Sequence, residues 1–282
     1  MRWGTVQKGD IISVALYRNG RVATVADLNR THHRQFSTRL EQLISEERTD
    51  ELSAWVAADP GRFDQVACES RQVKVLAPIQ KPERIVGIGL NYRAHAADLS
   101  EKVPEEPATF IKPASAIIGP GDAIRIPRVS SRTTAEAEMA LVFGKTALNV
   151  SSHHWRSVIF GAVPVLDMTT EDILRKNPRF LTRSKGYDTF ISLGPWIVTL
   201  DEIENLEQTL VQTVVNDKVQ AENVVAGMTY DCPHLVEFIT TESTIGATAI
   251  LSTGTPGAAV IQSGDRVEAR VAGMDKLFNP VA

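Results

Sequence analysis

Residues 135–144 read AEAEMALVFG and residues 158–167 read VIFGAVPVLD. Side chains alternate between faces along a strand, so Glu136 and Glu138 share a face with Ala140 and Val142, which have the character of core positions. Residues 158–166 are almost unbroken apolar sequence, the pattern of a buried strand, and the run ends on Asp167. Two carboxylates on one apolar face repel each other by roughly 3 kcal/mol at about 6 Å and an effective dielectric of about 20. Such a pair persists if one carboxyl keeps a proton, if Arg or Lys intervenes, or if a cation binds. An all-oxygen set favours Mg2+, Mn2+ or Ca2+ over zinc. The plain alternatives are a strand end with both glutamates in water, and Asp167 as a turn residue. Thr169 to Asp172 resembles a capping box that starts a helix.

Around these two runs, from Arg84 to the end, short strand patterns alternate with Gly/Pro turn signals: RIVGIG, ATFIKP, AIRIP, WIVTL, LVQTVV, AILSTGTP and RVEARV. This texture predicts packed or rolled sheets, not a doubly wound α/β fold. The clearest helix is expected over residues 232–241, with Pro233 in its first turn. Toward the N-terminus, Asn19-Gly20 between apolar runs predicts a β-hairpin over 11–27. A helix capped near Ser37, a second over 50–58 stopped by Asp59-Pro60-Gly61, and a strand over 73–78 follow. We therefore expect an α+β, mainly β chain, with a small N-terminal α+β domain at 1–78 and the larger unit at 79–282.

Composition narrows the function. The 282 residues are 43% hydrophobic and 23% charged, which excludes disorder as a description of the whole chain. Thirty Lys+Arg against 34 Asp+Glu give a net charge of −4, which argues against nucleic acid as the main ligand. No apolar run is long enough to cross a membrane, and the opening MRWGTVQKGD lacks the apolar core of a secretory signal. Two cysteines, Cys68 and Cys232, are too few for a disulfide framework and read as packing residues in a cytoplasmic, reducing compartment.

Two further segments carry chemistry. In 91–98, NYRAHAAD, a helical conformation puts His95 and Asp98 at i, i+3 on one face, the arrangement in which a carboxylate orients an imidazole base; a surface pair is the alternative. In 183–190, RSKGYDTF, Lys185 stands among small and aromatic residues, either beside a ligand anion or in a surface loop. Gly87-Ile88-Gly89 lacks the third glycine of a dinucleotide fingerprint, since position 92 is Tyr. His153-His154 has no third ligand nearby and reads as a solvated loop.

Together these segments resemble the fumarylacetoacetate hydrolase family. The likeness runs from about Lys81 to the C-terminus through IGLNYRAHAAD, TFIKPASAIIGPGD, AEAEMALVFGK, VLDMTTED, RSKGYDTF with LGPW, the hairpin VVNDKVQ, STGTP and GDRVEARV. It implies a rolled mixed β-sheet catalytic domain, usually a homodimer, that uses Mg2+ or Mn2+ (Ca2+ being a third candidate) on a small keto acid or diketone. By the same resemblance Glu136, Glu138 and Asp167 stand at the metal carboxylates, and His95 at the residue that activates water or moves a proton. Asp98 stands where most members have Glu. Lys185 matches the lysine that steadies developing negative charge. Tyr92, Lys112, Thr253, Gly254 and Thr255 fall in motifs that line the substrate pocket. The chain departs from the family where LDMTTEDIL places Glu171 at a substrate-holding arginine and Leu174 at a glutamine, with Arg175 and Arg183 as the candidate substitutes. The residues Ile245-Gly246-Ala247-Thr248 replace a usual acidic turn. The activity implied is cleavage of a carbon–carbon bond in a 1,3-dicarbonyl or acylpyruvate-like catabolite. Decarboxylase, tautomerase and 2-oxo-alkenoate hydratase chemistry on the same scaffold, and a non-catalytic relic, are the alternatives.

Overall fold

A computed structural model describes residues 1–93 and 104–282. Asn19 and Gly20 adopt positive φ of 50° and 81°, matching the twist of the strands they join, β2 (Ile11–Arg18) and β3 (Arg21–Thr24). β1 (Arg2–Lys8) pairs antiparallel with β2 and with β5 (Lys74–Leu76), while β4 (Cys68–Glu69) pairs with β3. Helices α1 (Val25–His32), α2 (Leu40–Ser45), α3 (Thr49–Ala57) and α4 (Pro60–Asp64) bury Leu28, Leu40, Leu43, Leu52 and Phe63 in the core.

Two local expectations need correction here, and a third is extended. α2 begins after Arg39 and has no side-chain cap; Ser37 instead accepts from the Arg39 N–H ahead of the helix. Asp59-Pro60 ends α3 but also starts α4, because Asp59 caps the Gly61 N–H and proline suits a first helical turn. His153 and His154 are solvent-exposed, yet they lie in a 3-10 helix over Ser152–Val158 and not in a loop.

The remaining strands are β6 (Ile85–Gly89), β7 (Ala108–Lys112), β8 (Ile117–Ile118), β9 (Thr133–Phe143), β10 (Ile159–Thr170), β11 (Ile191–Leu193), β12 (Ile197–Thr199), β13 (Leu210–Val215), β14 (Lys218–Val224), β15 (Ile250–Ser252), β16 (Ala258–Ile261), β17 (Arg266–Val271) and β18 (Leu277–Pro280). Among the described residues one large mixed sheet runs β4–β3–β2–β1–β12–β10–β9–β15–β6–β7, with β5, β8, β11 and β16 attached beside that path. A second sheet, β14–β13–β17–β18, packs β13 and β17 against β9. The fold is thus α+β and mainly β. AIRIP is not a strand; it makes one isolated bridge, Ile124 to Val281. Gly87 lies in β6, where a Cβ would fall 2.1 Å from the Phe110 ring, so its small size serves strand packing. Cys232 is buried, and burial pushes its thiol up to about 12.

Helices α5 (Glu171–Lys176) and α6 (Leu181–Lys185) follow β10, and α7 (Cys232–Thr240) precedes β15. Two expectations fail at the first of these junctions. β10 does not end on Asp167 but continues to Thr170, because Thr169 and Thr170 pair in register with Thr134 and Thr133. The capping box does not form: Thr170 precedes α5 with no side-chain cap, and the Thr169 hydroxyl is used elsewhere.

Candidate metal centre

The β9–β10 register assembles the carboxylates. Glu136 pairs directly with Asp167, so both side chains leave the same face of the sheet. Glu138, two residues on, shares that face. The three carboxylates each offer an oxygen within 4.8 Å of the others, and Glu138 and Asp167 are each 1% exposed. The water-facing alternative is therefore not what the chain adopts. The opposite face of β9, with Met139, Leu141 and Phe143 fully buried, packs the core.

Neighbouring strands supply polar partners on this face. Ser252 ends β15 opposite Ala140 and donates to Glu138 Oε2 at 2.5 Å; the Gly254 N–H donates to the same oxygen at 2.9 Å. The Thr169 hydroxyl donates to Glu136 Oε1 at 2.7 Å, and Thr134 lies 3.3 Å from that atom. Lys185, at the end of α6, is buried and not in a loop. Its Nζ donates to Asp167 Oδ2 at 2.8 Å, Glu136 Oε2 at 3.1 Å and Thr169 Oγ1 at 2.7 Å. Lys112 Nζ lies 2.5 Å from Asp167 Oδ1, an ion-pair contact without hydrogen-bond angles, and donates to the carbonyl oxygens of Met168, at 3.0 Å, and Phe190.

Burial and neighbouring charge set the electrostatics. Burial, with the negative charge of Asp167 added, pushes the Glu138 carboxyl well above the usual carboxylate range. Burial lowers Lys112 to about 8 against the upward pull of Asp167. Burial also works to lower Lys185, but Asp167 and Glu136 overcome it and hold the ammonium above its ordinary range. Three carboxylates face two ammonium groups, and their clustered oxygens are the donor chemistry that a hard cation takes.

The other predicted residues separate into groups. Tyr92 is fully buried and, among the described residues, its hydroxyl has no hydrogen-bond partner; burial raises its pKa, with the Glu138 charge adding to the effect. Thr253 and Thr255 spend their hydroxyls on the carbonyl oxygens of Met139 and Gly257, while Gly254 reaches the site through its N–H. His95 and Asp98 lie outside the described residues. Of the two candidate arginines, Arg175 is held by Glu171 at 2.5 Å; Arg183 is exposed and stacks on Phe180. The sequence reading missed Ser252, Thr169 and Asn91. Asn91 Nδ2 ties the loop in place by donating to Thr253 O at 2.8 Å and Tyr230 O at 3.0 Å. Ser252 stood inside the STGTP block, which was the available signal; Thr169 was masked by its apparent capping role.

Comparison with known proteins identifies the family. A profile described as fumarylacetoacetate (FAA) hydrolase, C-terminal, matches residues 84–282. The chain belongs to the fumarylacetoacetate hydrolase family. This family member is 34% identical over 219 residues to a mitochondrial oxaloacetate tautomerase of Xenopus laevis, a match covering 74% of the chain and 68% of that protein. Its structure resembles the 5-carboxymethyl-2-hydroxymuconate delta-isomerase of Mycobacterium smegmatis with a TM-score of 0.79 and 28% identity, over 100% of this chain and 98% of that one. It resembles the maleylpyruvate hydrolase of Sphingobium sp. SYK-6 with a TM-score of 0.83 and 25% identity, over 100% and 99%. A second structure of that hydrolase is a complex with manganese (II) ion and pyruvate. Members of the family are enzymes, and the relatives named here include a hydrolase, an isomerase and a tautomerase.

Proposed function

We propose that this chain is a divalent-metal-dependent hydrolase that cleaves a carbon–carbon bond in a 1,3-dicarbonyl or acylpyruvate-like small molecule. The observation that carries this reading is the convergence of Glu136, Glu138 and Asp167 beside Lys185. Their carboxylate oxygens suit Mg2+ or Mn2+, with Ca2+ a third candidate. Such a cation, when bound, supplies Lewis-acid polarisation of substrate carbonyl oxygens. In this reading Lys185 steadies the oxyanion that develops beside it, and the buried Tyr92 hydroxyl and the 253–255 loop border the substrate. His95, oriented by Asp98, takes a proton from water as its oxygen adds to one carbonyl carbon. The carbon–carbon bond then breaks, its electron pair passes into the enolate of the leaving fragment, and that fragment takes up a proton. We further propose that the protein acts as a cytoplasmic homodimer, to which the free cysteines Cys68 and Cys232 offer no obstacle.

The names of the relatives favour a second reading, tautomerisation of oxaloacetate, which moves a proton without breaking carbon–carbon bonds. One experiment separates the two. The protein is incubated with Mg2+ or Mn2+ and a panel of acylpyruvates, 1,3-diketones and oxaloacetate, with enol absorbance followed and products identified. Hydrolysis yields two fragments; tautomerisation consumes enol and yields none. Glu138→Gln is expected to fold and to lose metal-dependent turnover, since an amide is a poor ligand for a hard cation. Full activity in metal-free buffer would overturn the reading.

A further inference from the structure

Lys112 occupies the last position of β7, and its side chain is 1% exposed. An ammonium group has three hydrogens. Here three oxygens surround it: the carbonyls of Met168 and Phe190, and Asp167 Oδ1. Two of its hydrogens go to the carbonyl oxygens, and its third contact is the ion pair with Asp167. The far side of Asp167 is different, because Oδ2 faces Lys185 and the cluster. A carboxylate turns readily about its last bond, since that torsion is broad and roughly two-fold. Two lysines oppose that rotation, Lys112 from behind at Oδ1 and Lys185 on the cluster side at Oδ2.

We propose that Lys112 is a positioning residue of the metal centre and not a substrate contact. It fixes Asp167 so that a single oxygen, Oδ2, is offered toward Glu136 and Glu138. The other two carboxylates are steadied in the same manner, Glu138 by Ser252 and the Gly254 N–H, and Glu136 by Thr169. Lys112 differs in being charged and in tying Asp167 to the carbonyl of Phe190, ahead of β11. The assignment rests on the metal-dependent reading given above.

Mn2+ titration of substrate-free protein, by calorimetry or by the electron spin resonance signal of free Mn2+, tests it. Removal of a partner that orients a metal ligand typically weakens metal binding 10–100-fold. Lys112→Met is expected to lose Mn2+ affinity by about that factor, and Lys112→Gln, which keeps an N–H donor, to recover part of the loss. Thermal melts of the metal-free proteins run alongside, and if Lys112→Met fails to fold, Lys112→Gln carries the comparison. Unchanged or tighter Mn2+ binding in a folded variant overturns the proposal. So does unchanged Mn2+ binding with a raised KM, because that pattern belongs to a substrate contact. Absence of Mn2+ binding in the wild-type protein instead removes the metal-dependent reading itself, and the assignment with it.

Discussion

Gly254 shows how much one residue carries in this site. Its φ of +101° lies where L side chains rarely go, and a Cβ would fall 2.8 Å from the Asn91 Cβ and 3.2 Å from the Ile88 carbonyl oxygen. Gly254→Ala therefore meets backbone strain and a clash together, at a cost of about 1–3 kcal/mol, and it displaces the N–H that holds Glu138. We expect a lower melting temperature and weaker Mn2+ binding; a variant that matches the wild type in both would contradict this account. At this scale the sequence was most informative where a period could be read. Glu136 and Glu138 declared themselves because carboxylates alternate with alanines in an apolar strand. Ser252, Thr169 and Lys112 gave no such signal. Hydroxyls are ordinary in strands, and nothing local to TFIKP reveals that its lysine ends against Asp167.

Among elements, α1 offers the clearest energetic test. The Thr24 hydroxyl caps it by accepting from the Asp27 N–H, and Asp27 in turn binds Lys8 of β1 at 2.8 Å and Arg30. Thr24→Ala should cost about 1 kcal/mol, read as a shift in a denaturant midpoint with unchanged slope. For Asp27, burial acts to raise the pKa, but Lys8, Thr24 and Arg30 outweigh it and hold the carboxyl below its ordinary value. A depressed folded pKa gives stability that is present above the unfolded value, near 3.9, and is lost as pH falls through the folded value. Asp27→Asn should thus be less stable than the wild type at neutral pH, and the gap should narrow as pH falls below about 4. Paired melts at the two pH values check this; a gap that stays constant speaks against it. Turn chemistry made the hairpins legible, since Asn19-Gly20 and Asn216-Asp217 all take positive φ as their sequences require. Helix and strand ends were less legible. Thr169 to Asp172 looked like a cap only because cross-strand pairing with Thr134 cannot be seen from a local window.

For the whole molecule, the mainly β architecture followed from dense strand and turn signals, whereas the course of the large sheet could not be read from them. β1 pairs with β12 through Arg2 with Val198 and Trp3 with Ile197, joining the N-terminal strands to β10. Trp3 is fully buried against Phe160, and Trp196 stacks on Tyr17 with ring centroids 4.8 Å apart. We expect residues 1–78 and 79–282 to unfold together. A chain beginning at 79 would expose the β12 edge and these aromatic faces, and should be poorly soluble or aggregated in size-exclusion chromatography. A monodisperse, folded truncation would show that the larger segment stands without its neighbour.

The pairing of Trp3 with Ile197 also bears on how the protein is made. A ribosome adding roughly 5–20 residues per second releases the first of these strands about 10–40 s before the second. Throughout that interval the nascent chain carries a strand edge and a tryptophan destined for burial, and their partner has not been synthesised. For most of its synthesis, then, the chain carries an edge open to wrong partners.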